Sequence, residues 1–338
     1  MKMSFLEYSL KTSAVVCPLC KSTLTIEKAT RRGTIIQRAI LSCTSCNTLF
    51  KVYARIPVLL KPGQYASWNH PFVEAVFGFT LESYEKLLKK YGVEEVRRRT
   101  FRVLRGEYSP PKVFFKEPVD RRLLAIGGWR IRKCYVEKHL QRIKEQTKSS
   151  VSLKRMVDIV REYSPSKILD MCSGGGFFLT CLIEKYRDFK EFYSFDIDYK
   201  CAKRVEGTLT YYKLLDKSLP MVADARAMPF KENYFDVITN NCGFSQILGF
   251  AKAVKEAYRV LKPEGKLVVR EFYGITTWDR DQTRRELGFT VDELVEFFRY
   301  CDIYVDKESF IEIIEKTGFT IELIEDIDER YYLLVCTK

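Results

Sequence analysis

Residues 168–178 read "ILDMCSGGGFF", an apolar run followed directly by a glycine-rich turn. A turn of this kind between a strand and a helix typically holds a nucleotide-like ligand. It lacks the Gly-Lys-Ser/Thr end of a nucleoside triphosphate loop, because Phe177 follows Gly176. It also lacks the Gly-x-Gly-x-x-Gly spacing of a dinucleotide site, because Leu179 stands where the last glycine would be. By themselves the glycines indicate no more than a tight turn, so the neighbouring residues have to identify the ligand.

Three carboxylates follow three successive apolar runs. Asp170 lies near the end of "KILDM", Asp196 lies near the end of "EFYSFDI", and Asp224 follows the short run before "ARAMPF". Asp170 would repel a pyrophosphate, but it can pair with the ammonium group of an amino acid. Asp196 lies where a carboxylate accepts hydrogen bonds from ribose hydroxyls, and Asp224 can accept one from the exocyclic amine of adenine. S-adenosylmethionine offers all three partners and has no phosphate, so the carboxylates favour it.

Helical and strand patterns alternate with short connections from about residue 151 to the end of the chain. Strand patterns such as "YFDVITNN" and "KLVVREFYG" are separated by helical patterns such as "FAKAVKEAYRVLKPEG". Alternation of this kind is typical of a doubly wound, mainly parallel sheet. We therefore predict an α/β fold for residues 151–338.

The motifs "ILDMCSGGGF", "FYSFDID", "VADARAMPF", "YFDVI" and "AYRVLKPEGKLVV" occur in the order and spacing of class I S-adenosylmethionine-dependent methyltransferases. Over residues 150–338 the chain especially resembles the subgroup of ubiquinone/menaquinone C-methyltransferases. The resemblance implies a Rossmann-like, seven-stranded, mainly parallel sheet with helices on both faces, and S-adenosylmethionine as cofactor. One departure is Cys172, which stands where the first glycine of the family's turn is common.

The same resemblance implies a set of cofactor-binding residues. Asp170 and the backbone of the turn would hold the methionine part, Asp196 the ribose, Ile197 the adenine face and Asp224 the adenine edge. The full set is Asp170, Met171, Cys172, Gly174, Gly176, Asp196, Ile197, Asp224, Ala225 and Asn240, with Asn240 near the sulfonium.

Catalytic candidates follow the fourth and fifth predicted strands of this region. Asn240 and Asn241 lie where methyltransferases of exocyclic amines carry two prolines after an Asn, Asp or Ser, and the missing prolines disfavour that subclass. Arg270 and Glu271 could anchor substrate or supply a base, or they could form a salt bridge at the sheet edge. Cys242 could be a thiolate nucleophile, but a small buried residue is the more common role of a lone cysteine.

Four of the eleven cysteines form two Cys-x-x-Cys pairs, Cys17/Cys20 and Cys43/Cys46, separated by 22 residues. A β-hairpin between the pairs would bring four thiolates to one tetrahedral ion, and a closed four-cysteine site favours structural Zn²⁺. A redox Cys-x-x-Cys explains only one pair. The segment through "RIPVLL" also resembles the zinc ribbons of methyltransferase activators, and a ribbon before a methyltransferase domain resembles the bacterial rRNA guanine-N1 methyltransferases.

Positive charge is concentrated in the first part of the chain. Residues 1–150 hold 29 lysines and arginines against 12 acids, whereas the rest holds 28 against 32, and the total net charge is +13. Residues 97–148 interleave sixteen basic residues with Phe101, Trp129 and Tyr135, a pattern that favours contact with RNA. The alternative is a solvated basic helix whose aromatic residues belong to the core.

These patterns predict three regions: a zinc ribbon (1–63), a basic helical connector (64–150) and a class I catalytic domain (151–338). The predicted function is methyl transfer from S-adenosylmethionine to structured RNA, tRNA or rRNA. The alternatives are a small-molecule methyltransferase that acts on a quinone-like compound, and an inactive methyltransferase-like protein that binds RNA or a partner. With no apolar run of about 18 residues and no leader-like N-terminus, the expected location is the cytoplasm.

Overall fold

A computed structural model describes residues 3–64, 66–78, 84–108, 133–274 and 284–338. The strands are β1 (Leu24–Arg32), β2 (Ile35–Cys43), β3 (Leu49–Tyr53), β4 (Ile56–Leu59), β5 (Lys167–Met171), β6 (Glu191–Asp196), β7 (Ser218–Ala223), β8 (Phe235–Asn241), β9 (Leu261–Phe272), β10 (Thr320–Asp326) and β11 (Tyr331–Thr337). The helices are α1 (Phe5–Lys11), α2 (Pro71–Phe77), α3 (Tyr84–Tyr91), α4 (Val93–Leu104), α5 (Lys133–Thr147), α6 (Val151–Glu162), α7 (Phe177–Lys185), α8 (Tyr199–Tyr211), α9 (Phe250–Val260), α10 (Val291–Tyr300) and α11 (Lys307–Thr317).

The strands form one sheet in the order β1-β2-β3-β4-β7-β6-β5-β8-β9-β11-β10. From β4 to β9 all neighbours in this order are parallel. Strand β3 is antiparallel to β4. β11 is antiparallel to both β9 and β10. The Rossmann-like, mainly parallel arrangement predicted for β5–β11 is confirmed. Because the chain crosses from β7 back to β8 on the other side of β5, a crevice opens at the carboxyl ends of β5 and β8.

The sheet has eleven strands and not the predicted seven, because the four N-terminal strands continue it. β4 pairs in parallel with β7, with Val58 opposite Val222 and Leu59 opposite Ala223. Without β4, the backbone groups of β7 would lie at an open edge of the sheet. All four residues of β4 are buried, so the pairing also removes apolar side chains from water.

Strands β3 and β4 form a hairpin. Ala54 and Arg55 adopt positive φ values of 41° and 78°, and this turn folds β4 back along β3. Two-residue hairpin turns require positive φ and usually contain glycine or asparagine. The sequence "YARI" carries neither, so its pattern contains no turn signal.

Helices cover both faces of the sheet. On one face, α6, α7 and α8 contribute Met156, Leu179 and Val205 to an apolar cluster with β5, β6 and β11. On the other face, α9 and α11 join a cluster that also contains Leu41 and Phe50 of the N-terminal strands. The N-terminal strands therefore share a hydrophobic core with the parallel sheet.

Helix α1, which the sequence patterns did not predict, is joined to the sheet by a buried carboxylate. The hydroxyls of Tyr8 and Tyr193 each lie 3.1 Å from an oxygen of Glu191, and the Tyr234 hydroxyl donates to it as well. Lys167 Nζ lies 3.4 Å from the same side chain. A carboxylate that is 5% exposed is stable only when its oxygens are paired in this way.

The region predicted as a basic helical connector, residues 64–150, contains α2, α3, α4 and α5 in its described part. Buried residues of α2 and α4, such as Phe72 and Val96, pack against Leu294 and Phe297 of α10. Residues 109–132, which include Trp129 of the predicted RNA-contacting stretch, lie outside the described residues. No helix in the described ranges is both long and apolar enough to cross a bilayer.

Burial of β4 in the hydrophobic core of the parallel sheet can be tested by substitution. Leu59→Ala should lower the free energy of unfolding by about 2–5 kcal/mol, because Leu59 is fully buried in the common core. Leu49→Ala is the matched control: it lies on the neighbouring strand at 59% exposure and should cost less than about 0.5 kcal/mol. Urea unfolding followed by tryptophan fluorescence measures both. Equal effects of the two substitutions would show that β4 is not part of the core.

Candidate active site

A cleft of about 380 Å³ lies at the carboxyl ends of β5, β6, β7 and β8. One wall comes from the parallel sheet and its connections: Cys172, Ser173, Gly174, Gly175, Phe177, Asp196, Ile197, Cys201, Ala223, Asp224, Ala225, Arg226, Asn241, Cys242, Gly243, Gln246, Ile247 and Leu248. The other wall comes from the segment before and within α2: Gln64, Ser67, Trp68, Asn69, Glu74 and Gly78. A volume of this size is in the range of small-molecule sites.

The glycine-rich turn leads from β5 into α7 with three residues at positive φ: Cys172 at 55°, Gly174 at 51° and Gly176 at 83°. The Gly174 N–H donates to Asp196 Oδ2 at 2.8 Å, which joins the turn to the end of β6. A Cβ on Gly174 would meet nothing within 4 Å, so its backbone faces open space on the cleft side. Cys172 adopts a left-handed conformation that costs a non-glycine residue about 1–2 kcal/mol.

Asp170 carries a carboxylate oxygen without a partner. The side chain is 1% exposed, and its Oδ1 accepts a hydrogen bond of 2.9 Å from the Thr239 hydroxyl. Its Oδ2 is buried and has no hydrogen-bond partner among the residues that the structure describes, and the same is true of Ser173 Oγ. Burial raises the pKa of Asp170 to about 7, and the nearby Asp196 adds to this rise.

Asp196, which is half-buried and lines the cleft, lies close to Asp170. Burial raises its pKa to about 6, although the backbone N–H groups of Asp198 and Gly174 donate to it. The raised pKa values indicate that the negative charges of these two neighbouring carboxylates are not balanced by nearby positive charge. A cationic ligand would supply the missing charge, so the donor set fits the ammonium and sulfonium groups of S-adenosylmethionine.

Asp224 differs from the other two carboxylates because it already has a cationic partner. It is 7% exposed, and the Arg226 guanidinium forms an ion pair with it at 2.9 Å. Although burial alone would raise the pKa of Asp224, the charge and hydrogen bonds of Arg226 lower it. The Gln64 amide donates to the same carboxylate at 2.6 Å. The free acceptor expected for adenine is therefore occupied by protein groups.

Asn240 is fully buried and does not line the cleft. Its Oδ1 accepts the N–H groups of Gly243 at 3.0 Å and Phe244 at 3.2 Å, and its Nδ2 lies 3.4 Å from the Met171 carbonyl. Asn240 thus fastens the turn after β8 to the end of β5. Met171 is likewise buried in the core. Neighbouring Asn241 does line the cleft.

Arg270 and Glu271 lie next to each other on β9, and neither lines the cleft. Arg270 donates to Ser152 Oγ at 2.8 Å and Asn241 Oδ1 at 3.0 Å, and stacks over a tyrosine ring. Glu271 accepts from Ser245 Oγ at 2.9 Å, and burial raises its pKa to about 7. Neither forms an ion pair with another described residue. Catalytic roles for these residues stay predictions.

Cys242 lines the cleft with its Sγ 3.1 Å from an Arg270 nitrogen. Burial nevertheless raises the pKa of this thiol above its ordinary value, and it does the same for Cys172. Both groups are therefore neutral thiols at physiological pH. This state fits the small buried residue better than the nucleophile.

Several residues at the cleft were missed by the sequence patterns. The Nε2 atom of His139 in α5 lies 2.8 Å from the Gly175 carbonyl oxygen. His139 belongs to the connector, whereas the predicted catalytic domain, residues 151–338, contains no histidine. Arg226 could have been noticed two residues after Asp224. Gln64 and Trp68 carry no motif, because their role depends on where the chain passes after β4.

The four predicted metal ligands come together in the structure. Their Sγ atoms all lie within 4.8 Å of one another, with Cys17 and Cys46 at 3.7 Å and Cys20 and Cys43 at 3.4 Å. Four thiolates at Zn–S distances of about 2.3 Å would be about 3.8 Å apart. The cluster therefore has dimensions close to those of a tetrahedral site.

Comparisons with known proteins agree with this arrangement. Residues 169–269 match the family described as "Methyltransferase domain". A ubiquinone/menaquinone biosynthesis C-methyltransferase (UbiE) of Rickettsia felis is 36% identical over 110 residues, 32% of this chain and 44% of that protein. A demethylmenaquinone methyltransferase of Thermus thermophilus is 32% identical over 123 residues, 35% of this chain and 53% of that protein. The match thus spans about half the length of these relatives.

Among solved structures, a SAM-dependent methyltransferase from Aquifex aeolicus aligns with 58% of this chain and 97% of its own at 16% identity, with a TM-score of 0.43. The matched family segment runs from Leu169 in β5 to Val269 in β9 and includes the glycine-rich turn and all strands that line the cleft. This segment of the chain, residues 169–269, is therefore similar to a methyltransferase domain.

The raised pKa of Asp170 predicts a gain in stability when its charge is removed. A carboxyl whose folded pKa is about 7 stabilises the protein fully below its ordinary pKa of 3.8 and loses that contribution as the pH rises through 7. Asp170→Asn should therefore raise the free energy of unfolding by about 1–3 kcal/mol at pH 8. This gain is smaller than the free energy that corresponds to the whole pKa shift, because the new amide group has an N–H donor without a partner.

Chemical denaturation at pH 8 and pH 5 measures this gain, of which less than half should remain at pH 5. Asp188→Asn is the control, because Asp188 is exposed and should show no such pH dependence. A loss of stability for Asp170→Asn at pH 8 would contradict the prediction.

Proposed function

We propose that the chain transfers a methyl group from S-adenosylmethionine to a small, largely apolar acceptor. The observation that carries the proposal is a pair of carboxylates with no cationic partner among the described residues: Asp196, which lines the cleft together with the glycine-rich turn, and the buried Asp170 close to it. The curated relatives named above act on quinone precursors by their names, which supports a small acceptor over RNA.

The residues that would hold the cofactor are those of the turn and the strand ends. Asp170 and the backbone of Gly174 would face the amino-acid part, Asp196 the ribose and Ile197 the adenine. The cofactor supplies an electrophilic methyl group. The protein's own contribution is to position an acceptor beside it and to exclude water, since displacement at a methyl carbon depends mainly on orientation and desolvation.

Much of the lining of the cleft is apolar. Phe177, Ile247 and Leu248 line it together with the neutral thiol of Cys242. Trp68, which is 40% exposed, adds an aromatic surface on the wall formed by the connector. Such a lining favours a flat, lipophilic acceptor over a charged one.

Structured RNA is the second candidate, supported by the excess of basic residues in residues 1–150. Within the described part of this region, several arginines of α4 are engaged inside the protein. Arg99 pairs with Glu95 at 2.5 Å and lies over the Phe77 and Tyr91 rings, and Arg97 lies over Phe101. Residues 109–132, including Trp129, lie outside the described residues, so contact with RNA through residues 97–148 stays a prediction.

We also propose that Cys17, Cys20, Cys43 and Cys46 bind one structural Zn²⁺. The four Sγ atoms all lie within 4.8 Å of one another, which is compatible with the spacing that a tetrahedral Zn²⁺ site requires. Four thiolates close the coordination sphere, so the site has no open position for catalysis. The adjacent Lys21 donates to the Met228 carbonyl and to Glu256, each at 2.9 Å, and connects the cysteine cluster to α9.

The acceptor proposal is tested by incubation with methyl-labelled S-adenosylmethionine and separate lipid, RNA and protein extracts. Label should enter the lipid extract, and Asp196→Asn should reduce incorporation at least tenfold, because it removes a charge that faces the cofactor. Asp188→Asn is the matched control and should leave the rate unchanged. Label confined to RNA would replace the proposal by its second candidate, and failure to bind S-adenosylmethionine would overturn both.

The metal proposal predicts one zinc ion per chain in the purified protein. Cys20→Ser should lose the metal and lower the melting temperature by several degrees, since metal binding contributes to folding. Cys301→Ser is the control, because this lone thiol lies far along the chain in the turn after α10 and should retain the metal. Elemental analysis and a thermal melt measure the two effects. Protein that keeps its melting temperature after complete chelation would contradict a structural role.

A further inference from the structure

We propose that Gln64 accepts a hydrogen bond from the adenine amine of the cofactor and makes the site selective for adenine. The inference rests on the proposed function, because it concerns the same cleft. Gln64 lies in the segment that joins β4 to α2, outside the matched methyltransferase segment of residues 169–269. The residue lines the cleft together with Asp224 and Ala225.

Asp224 has no acceptor site left for the amine. Its Oδ1 accepts the Arg226 backbone N–H at 2.8 Å and the Arg226 Nε at 3.0 Å. Its Oδ2 accepts the other guanidinium nitrogen at 2.9 Å and the Gln64 amide at 2.6 Å. An ionised carboxylate offers about four lone-pair sites, and these four donors use them. A ligand amine would have to displace one of them.

The Arg226 contacts are not easily displaced. The guanidinium also donates to the Leu248 carbonyl at 2.9 Å and pairs with Glu74 at 3.3 Å. It is therefore held from three sides, and Asp224 is held with it. The position after β7 where the sequence predicts a free acceptor is in fact a closed ion pair.

Gln64 supplies the acceptor that Asp224 lacks. Its Oε1 is buried and has no hydrogen-bond partner among the described residues. The amide orientation follows from its neighbour, because the opposite orientation would direct Oε1 at the Asp224 carboxylate. A buried, unpaired acceptor on the wall of a nucleoside-sized cleft gains a partner when an amine arrives, and it is unfavourable beside another acceptor.

The fold explains why a residue from the N-terminal region reaches this place. Leu59 of β4 lies opposite Ala223, the residue before Asp224. The chain then turns, with the Gln64 N–H donating to the Lys61 carbonyl at 3.0 Å, and passes the carboxyl end of β7. Pairing of β4 with β7 therefore sets the position of Gln64 relative to Asp224.

Calorimetric titration of the full chain with S-adenosylhomocysteine and S-inosylhomocysteine tests the inference. The two ligands differ at the purine 6-position, which carries an amine donor in the first and an oxygen acceptor in the second. Gln64→Met should weaken binding of S-adenosylhomocysteine about tenfold and leave binding of S-inosylhomocysteine unchanged or tighter. Gln64→Asn, which keeps an amide but withdraws it, should change the ratio in the same direction.

Gln246→Met is the matched control, since Gln246 also lines the cleft and its amide contacts Ser245 at 3.4 Å. Its ratio of the two affinities should equal that of the unmodified chain. An equal loss of affinity for both ligands in Gln64→Met and Gln64→Asn would show that Gln64 only braces Asp224. Unchanged affinities in both variants would show that Gln64 has no role in binding. Either outcome overturns the inference. If the unmodified chain binds neither ligand, the proposed function fails instead.

Discussion

The parallel pairing of β4 with β7 is the contact on which the rest of this structure depends. It covers what would be the open edge of the parallel sheet, and it brings the cysteine cluster and the methyltransferase segment into one hydrophobic core. It also carries the chain past the carboxyl end of β7, where Gln64 meets Asp224. An edge contact of only two paired residues, Val58 and Leu59, thus determines both the architecture and one wall of the cleft.

Charge is distributed unevenly at the cleft, and this asymmetry affects which ligand charge the cleft favours. Asp224 is neutralised by Arg226 and remains ionised, whereas the buried Asp170 and the half-buried Asp196 have no cationic partner among the described residues and have raised pKa values. The protein therefore carries unfavourable electrostatic energy at one end of the cleft. Protonation or a positively charged ligand relieves it, which relates the stability of the empty protein to its affinity for a cationic ligand.

The cysteine cluster is connected to the same region through backbone and side-chain contacts. The Val16 N–H donates to the Pro229 carbonyl at 2.9 Å, and Lys21 contacts Met228 and Glu256. Met228 closes the short turn that begins at Asp224. A metal bound to the cysteines would therefore stiffen the segment that follows Asp224 at the cleft.

Local patterns in the sequence were sufficient for the parallel sheet, its helices, the glycine-rich turn and the four clustered cysteines. Each of these depends on apolar periodicity, on residues with special backbone geometry or on short ligand spacing, and all of these are visible within a few tens of residues. Tertiary structure alone decided the eleven-stranded sheet, the closed Asp224–Arg226 pair, and the approach of Gln64 and His139 to the cleft. These features depend on contacts between residues more than thirty positions apart, or, for Asp224, on which donors reach a carboxylate, and no local pattern encodes either.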